Sequence, residues 1–215
     1  MDLTTSKNLG GVGAILMFIV PLISFASLYA GLLGLIGFIL LLIALKGLGD
    51  YYNEGGIFNN ALYGFIAAIV GGVVSVAVVI FTVLTSLTDF LYTLFPDWNG
   101  DWTALSGLTP NPSNLSLDNI LPFIGGIFAA LIILFVFAII TAWLYRRSLN
   151  SLSAKSGVGM FGTAGLLILI GAVLTIILVG FLLIWIAFIL LAVAFFSIKT
   201  TAGTAPQAPT PPTPS

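Results

Sequence analysis

The sequence predicts an all-α fold, a polytopic transmembrane bundle of six spans with both termini on the cytoplasmic side. Three observations predict it: the composition, the length of the charge-free runs, and the side on which the charges fall. Apolar residues make up 60% of the chain and charged residues 6%, whereas a soluble domain carries about 25% charged residues. A soluble core of this length has no room for that much apolar surface, so lipid is the expected solvent. A crossing needs roughly 20 apolar residues, because the hydrocarbon core is about 30 Å thick and a helix rises 1.5 Å per residue.

Taken in order, the first apolar run lies between Lys7 and Lys46. It is long enough for two crossings, with Ser24, Ser27, Tyr29 and Gly31 marking its midpoint. MDLTTSKN carries one lysine and precedes a run much longer than the roughly 7–15 apolar residues of a signal-peptide core. The segment is therefore expected to be a span and not a cleaved leader. Single long runs follow at 61–88 and 119–145. The last run, FGTAGLLILIGAVLTIILVGFLLIWIAFILLAVAFFSIK, has no charge before Lys199 and would be nearly 60 Å long as one helix. It is expected to fold back near Val179–Gly180, where glycine tolerates a turn. The expected spans are about 9–27, 30–46, 61–86, 119–145, 160–178 and 181–198, forming one domain over 1–199. Residues 200–215, rich in proline and threonine, are expected to be an extended, disordered cytoplasmic tail.

Charge placement sets the orientation. Six spans put Lys7, Lys46, Arg146, Arg147, Lys155 and Lys199, which are all the basic residues, on the side of the termini. The long connection 89–118 carries Asp89, Asp97, Asp101 and Asp118 and no base. By the positive-inside rule the termini are cytoplasmic, loop 89–118 is outside, and the location is the cell membrane. Trp143 and Tyr145 before Arg146, Trp98 and Trp102 in the outer loop, and Trp185 past the outer bend fit interfacial belts.

In lipid, helices associate by close approach at small residues. Gly64, Ala68 and Gly72 form one expected packing stripe, and Gly126 with Ala130 another, after Asn119 and Pro122 open the fourth helix. The two hairpins are alike: LGGVGAILMFIVPL can be laid on FGTAGLLILIGAVL, as a direct and not an inverted repeat.

The chemistry-bearing residues are few. The chain has no histidine and no cysteine, which removes thiolate metal sites, disulfides and imidazole-based acid–base catalysis. A net charge of −1 argues against nucleic acid as a partner. GLGD, Gly47 to Asp50, matches the Gly-x-Gly-Asp of intramembrane aspartyl proteases, but that chemistry needs a second carboxylate to share a proton, and none is expected nearby. Asp97, Asn99 and Asp101 alternate as a calcium loop begins, yet Trp102 stands where the glycine is needed. A hydrated turn is expected there instead. Asn114-Leu115-Ser116 is a glycosylation acceptor pattern in the outer loop. WLYRRSLNSLSAKSG is expected to connect spans four and five, with Arg146, Arg147 and Lys155 orienting the chain or holding anionic lipid headgroups. No ionisable side chain falls in mid-span, where coupled transporters keep them. No catalytic residue and no cofactor is therefore expected.

Two stretches, LLIALKGLGDYYNEGGIFNNALYGF and YRRSLNSLSAKSGVGMFGTAGLLILIGAVLTIILVGFLLIWIAFILL, resemble the chiefly archaeal domain-of-unknown-function family numbered 996, over nearly all of residues 7–199. The resemblance implies a multi-span membrane protein and brings no catalytic or binding residues. It also implies, for some members, a cysteine-paired zinc-binding tail; residues 1–215 include no cysteine. The expected function is that of a non-enzymatic scaffold or accessory subunit with lipid, a second copy or another membrane protein as partner. A channel or carrier for small apolar solutes or lipid, and a membrane-shaping hairpin protein, are the competing classes.

Overall fold

The computed structural model describes residues 1–23 and 30–199. Among these there are six α-helices and no strand: α1 (Leu3–Ile23), α2 (Ala30–Tyr51), α3 (Gly55–Leu94), α4 (Leu117–Ser156), α5 (Met160–Leu174) and α6 (Val179–Phe196). Each is long and apolar enough to cross a membrane, α5 with the 3₁₀ turn that extends it to Ile177. The expected bend at Ser24, Ser27 and Tyr29 and the expected tail 200–215 lie outside the described residues.

The helices run past the apolar limits because lipid solubility and helix termination are set by different residues. α3 and α4 have 40 residues each, about 60 Å by their rise. α2 continues through Lys46 to Tyr51 and stops in a Schellman turn. Asn53 takes a left-handed φ of 51°, Glu54 N–H donates to Gly49 O at 2.8 Å, and Asn53 N–H donates to Asp50 O, which satisfies the last carbonyls. α4 begins one residue after Ser116, whose N–H and hydroxyl both donate to Asn119 Oδ1 at 2.8 Å. Asn119 is thus the third helical residue reaching back in a capping exchange, not the cap itself. Pro122 lies inside α4, past the first turn where it was expected.

WLYRRSLNSLSAKSG is helix as far as Ser156, not a connection. The reason is a buried seam hidden among polar residues: Ser148, Leu149 and Leu152 are all buried. The connection is only residues 157–159, opened by Gly157 at φ 73°.

The chain divides into two compact units. The first is made of Met1–Asn59, Arg147–Gly165 and the chain from Trp185 on; the second of Asn60–Arg146 and Leu166–Ile184. The first holds the largest fully buried side chains, among them Leu48, Ile57, Leu152, Phe161, Phe195 and Ile198. Phe161 and Phe195 meet edge to face at 5.0 Å, a favoured aromatic geometry. α1 and α2 cross with backbone nearly touching. A Cβ on Gly13 would lie 2.6 Å from Gly37 O, and one on Gly37 would lie 2.8 Å from Leu16 Cβ. Trp185 stacks on Phe18 at 4.8 Å and donates its indole N–H to Phe18 O at 2.8 Å. It is a tie between α6 and α1, and its polar handle is used inside the protein.

In the second unit α3 and α4 pack antiparallel along a narrow seam. Ser75 Oγ donates to Ala130 O at 3.1 Å, Thr141 Oγ1 donates to Gly64 O at 3.2 Å, Gly71 lies against Phe137, and Gly126 against Thr82. On α3 these are positions 64, 71, 75 and 82; on α4 they are 126, 130, 137 and 141. Steps of seven and four are those of a coiled-coil seam. Gly64, Gly126 and Ala130 therefore lie on the contact. Ala68 is exposed and Gly72 has no atom within 4 Å of where a Cβ would be, which corrects the expected every-fourth-residue stripe. On a helix of 3.6 residues per turn, two steps of four drift by about 80°, whereas one step of seven drifts by about 20°. Gly71, not Gly72, keeps the seam.

The last hairpin bends at residues 175–178, ending two residues before the expected glycine. Thr175–Ile177 form a 3₁₀ turn ending on Leu178, which takes φ 64°. Gly180 is already helical, and its lack of a side chain serves close approach: a Cβ there would collide with backbone atoms of Gly171, Leu174 and Thr175.

Candidate functional site

Six charged residues of the first unit, Asp2, Lys7, Lys46, Asp50, Glu54 and Lys155, are paired or capped. Asp2 opens α1, accepting from Thr5 N–H at 2.8 Å, and the Thr5 hydroxyl and N–H hold its carboxyl below the ordinary carboxylate value. Lys7 donates its ammonium to Ile198 O at 3.0 Å, placing a positive charge at the end of α6, where the helix dipole favours it. Lys46 pairs with Asp50 one turn on at 2.6 Å, with its ammonium 5.6 Å from the Phe58 ring centroid. Lys155 at the end of α4 pairs with Glu54 in the α2–α3 turn at 3.3 Å. Ser148 is fully buried and donates its hydroxyl to Ile57 O. Exposed ion pairs of this kind contribute little to stability, up to about 1 kcal/mol each. Of the two, Lys155–Glu54 joins the end of α4 to the α2–α3 turn, whereas Lys46–Asp50 lies within α2.

This arrangement decides the role of GLGD. Gly47 packs against the Ser6 side chain, and a Cβ on Gly49 would lie 3.2 Å from Glu54 O in the turn. Asp50 is half exposed and faces an ammonium, not a second carboxylate. A shared proton requires two carboxyls in contact, so the glycines serve packing and the aspartate serves the helix end. Of the three bases assigned to lipid headgroups or topology, Lys155 is engaged by Glu54, Arg146 is partly exposed and Arg147 exposed.

The connection between α3 and α4 in the second unit is ordered by its own polar groups. Asn99 Oδ1 accepts from Asp101 N–H at 3.0 Å. Asp101 Oδ1 accepts from the Thr103 N–H at 2.9 Å and hydroxyl at 2.8 Å, capping the 3₁₀ turn Trp102–Gly107. Gly100 supplies φ 91°. Trp98 is buried between Tyr92 and Trp102 and donates its indole N–H to Asp101 O at 2.7 Å. Asn99 and Asp101 thus spend oxygens on backbone donors, as a turn requires. Among the described residues no group of three or more Asp or Glu side chains converges as a metal site would need. Asn114 is exposed, and its amide donates to Thr93 O at 3.4 Å.

The Thr103 hydroxyl, and after it the Thr103 N–H, hold the Asp101 carboxyl below its ordinary value of 3.8. A depressed folded value means that this contribution to loop order is complete above 3.8 and is lost as pH falls through the folded value. An NMR titration of the Asp101 carboxyl is expected to give a midpoint below 3.8. Thr103→Val should move that midpoint upward; an unmoved midpoint would contradict the cap.

Sequence reasoning missed Lys7, Ser148, Gly71 and Leu178. For Ser148 the signal was present, since apolar residues at 149 and 152 continue past Arg147 with helical spacing. For Gly71 the signal was a heptad step in place of a four-residue one. Leucine in a left-handed turn has no sequence signature.

The chain matches the family described as "Protein of unknown function (DUF996)" over residues 33–189. The uncharacterized protein MJ1644 of Methanocaldococcus jannaschii is 29% identical over 198 residues, covering 92% of this chain and 94% of that protein. No solved structure matches the chain. The family match runs from within α2 to within α6, through the whole of α3, α4 and α5, and with the six membrane-length helices it makes the chain a multi-pass membrane protein that belongs to the DUF996 family.

Proposed function

We propose that the protein is a non-enzymatic scaffold or accessory subunit of the cell membrane, with both termini cytoplasmic and residues 89–118 outside. The orientation is supported by the six bases at Lys7, Lys46, Arg146, Arg147, Lys155 and Lys199, and by the acidic connection between α3 and α4. The functional reading is carried by the outward faces of α3 and α4. Each helix spends one seam on the other and leaves small residues facing away from it: Ala68 and Ala129 are exposed, and Gly72 and Gly125 have open space where a Cβ would stand. Faces of that kind let another helix approach closely in lipid. An apolar recess of about 70 Å³ at the seam, lined by Val79, Thr82, Phe123 and Gly126, is far below the roughly 300 Å³ of a small-molecule pocket.

The partner is a second copy or another integral membrane protein, and neither nucleic acid nor a cofactor enters the role. Because the chain has no cysteine, Gly72→Cys and Gly125→Cys report on these faces directly. Under mild oxidation in native membranes at least one variant is expected to form a disulfide-linked product, and mild-detergent purification to yield a homo-oligomer or a constant companion. A monomer that forms no linked product from either position would overturn the proposal.

A further inference from the structure

The α5–α6 hairpin ends in an apolar tip with no protein over it. Ile176 and Leu178 are 70% and 72% exposed, and Ile177, Val179, Phe181 and Leu182 are each more than half exposed. Between Thr163 and Ser197 the polar side chains are Thr175 and Trp185 alone. Thr175 donates its hydroxyl to Ala172 O at 2.7 Å, and Trp185 is satisfied by Phe18. The turn's backbone also closes on itself: Leu178 N–H donates to Thr175 O at 3.0 Å, and Phe181 N–H to Leu178 O at 3.2 Å. An irregular segment is tolerated by lipid where its backbone groups are paired internally, and the Leu178 and Phe181 amides are paired in that way.

Reach gives the second, independent argument. The 18 residues of α6 rise about 27 Å. The 15 residues of α5 and its three-residue 3₁₀ turn rise about 28 Å. Along α4, the charges of Asp118 and Arg146 are about 42 Å apart by the same rise, which equals a bilayer with its headgroup layers, about 40–45 Å. The hairpin, with arms of about 27–28 Å measured from Met160 and from Phe196, covers the roughly 30 Å hydrocarbon core at most. It has nothing polar to place in the headgroup layer beyond.

We infer that the α5–α6 hairpin ends inside the hydrocarbon, and that its tip, residues 176–182, is an apolar knob packed among the acyl chains of the leaflet opposite its feet. The occupant of this surface is lipid. The hairpin is a wedge entered from one side, in contrast to α3 and α4, whose connection carries Asp97 and Asp101 into water. This inference concerns lipid contact and stands apart from the scaffold role.

The test uses the full chain in proteoliposomes. Leu178→Cys, with Ile177→Cys as a second variant should the first not fold, is compared with Asn99→Cys in the polar connection. A membrane-impermeant maleimide is expected to label Asn99→Cys readily. Labelling of Leu178→Cys should be at least roughly tenfold slower from either side, because the reacting thiolate is disfavoured in an apolar medium. A nitroxide attached at position 178 is expected to collide with dissolved oxygen and to be shielded from a water-soluble nickel complex. Labelling at the Asn99→Cys rate would place the tip in water and overturn the inference. Shielding from both oxygen and nickel would mean that protein covers the tip, and would overturn it equally.

Discussion

Gly180→Leu is expected to break the α5–α6 hairpin and to give the largest loss of stability of any single substitution considered. A Cβ at that position meets the carbonyl oxygen of Gly171, the amide nitrogen of Thr175 and the carbonyl carbon of Leu174. All three are backbone atoms of the end of α5 and the turn that follows it, so none can rotate away as a side-chain tip could. The contact is reciprocal, since a Cβ on Gly171 would lie 2.9 Å from Gly180 O. Overpacking typically costs 1–3 kcal/mol when side chains can yield; here the expected loss is about 3 kcal/mol or more. In a chain of this size that corresponds to a fall in apparent Tm of roughly 6–12 °C. Gly125→Leu is the control, because nothing lies within 4 Å of its Cβ position. Thermal unfolding in detergent, followed by circular dichroism, should separate the two variants widely. Equal melting of both would mean that the hairpin is not closed at this crossing.

The fold class and the number of membrane-length helices were legible in the sequence because they depend on bulk quantities: the length of apolar runs and the absence of charge within them. Helix ends were not, because they are set by single groups. Asn53 in its left-handed turn ends α2 five residues beyond Lys46, and the buried Ser148-Leu149-Leu152 seam carries α4 through a stretch that reads as polar. Hydropathy is blind to both. The acidic connection was readable as a turn because Asn, Asp and Gly have local hydrogen-bonding preferences that do not need tertiary context. The charged residues of the first unit were identifiable by their exclusion from the apolar runs. Their pairing was not, since Lys155 with Glu54 and Lys7 with Ile198 O join positions far apart in the chain. Trp185 illustrates the limit on the aromatic belt: an indole near a bend fits an interface by position, and only the carbonyl of Phe18 shows where its N–H goes.

Two neighbouring glycines give the second test, with opposite expected results. Gly71→Leu would drive a side chain into Phe137, whose Cβ and ring stand where the new Cβ must go. Phe137 is fixed to the α4 backbone at that Cβ, so relief requires the two helices to separate. The expected loss is about 2–3 kcal/mol. Separation would also weaken the hydrogen bonds from Ser75 to Ala130 O and from Thr141 to Gly64 O on either side, bonds that in membranes contribute on the order of 0.6 kcal/mol each. Gly72→Leu points into open space. It exchanges the poorest non-proline helix former for a good one, a gain of up to about 1 kcal/mol where the intrinsic preference holds. Melting in detergent should therefore fall for Gly71→Leu and hold or rise for Gly72→Leu; the reverse order would restore the every-fourth-residue stripe through Gly72 and reject the heptad seam. The same pair separates folding from partnership. If the outward face around Gly72 receives another helix, Gly72→Leu should leave the purified chain stable while reducing recovery of the oligomer or companion, because a large side chain prevents close approach. Gly71→Leu should lose both together. A Gly72→Leu protein that is stable and keeps its full complement of partners would leave the seam intact and remove that face from the scaffold role.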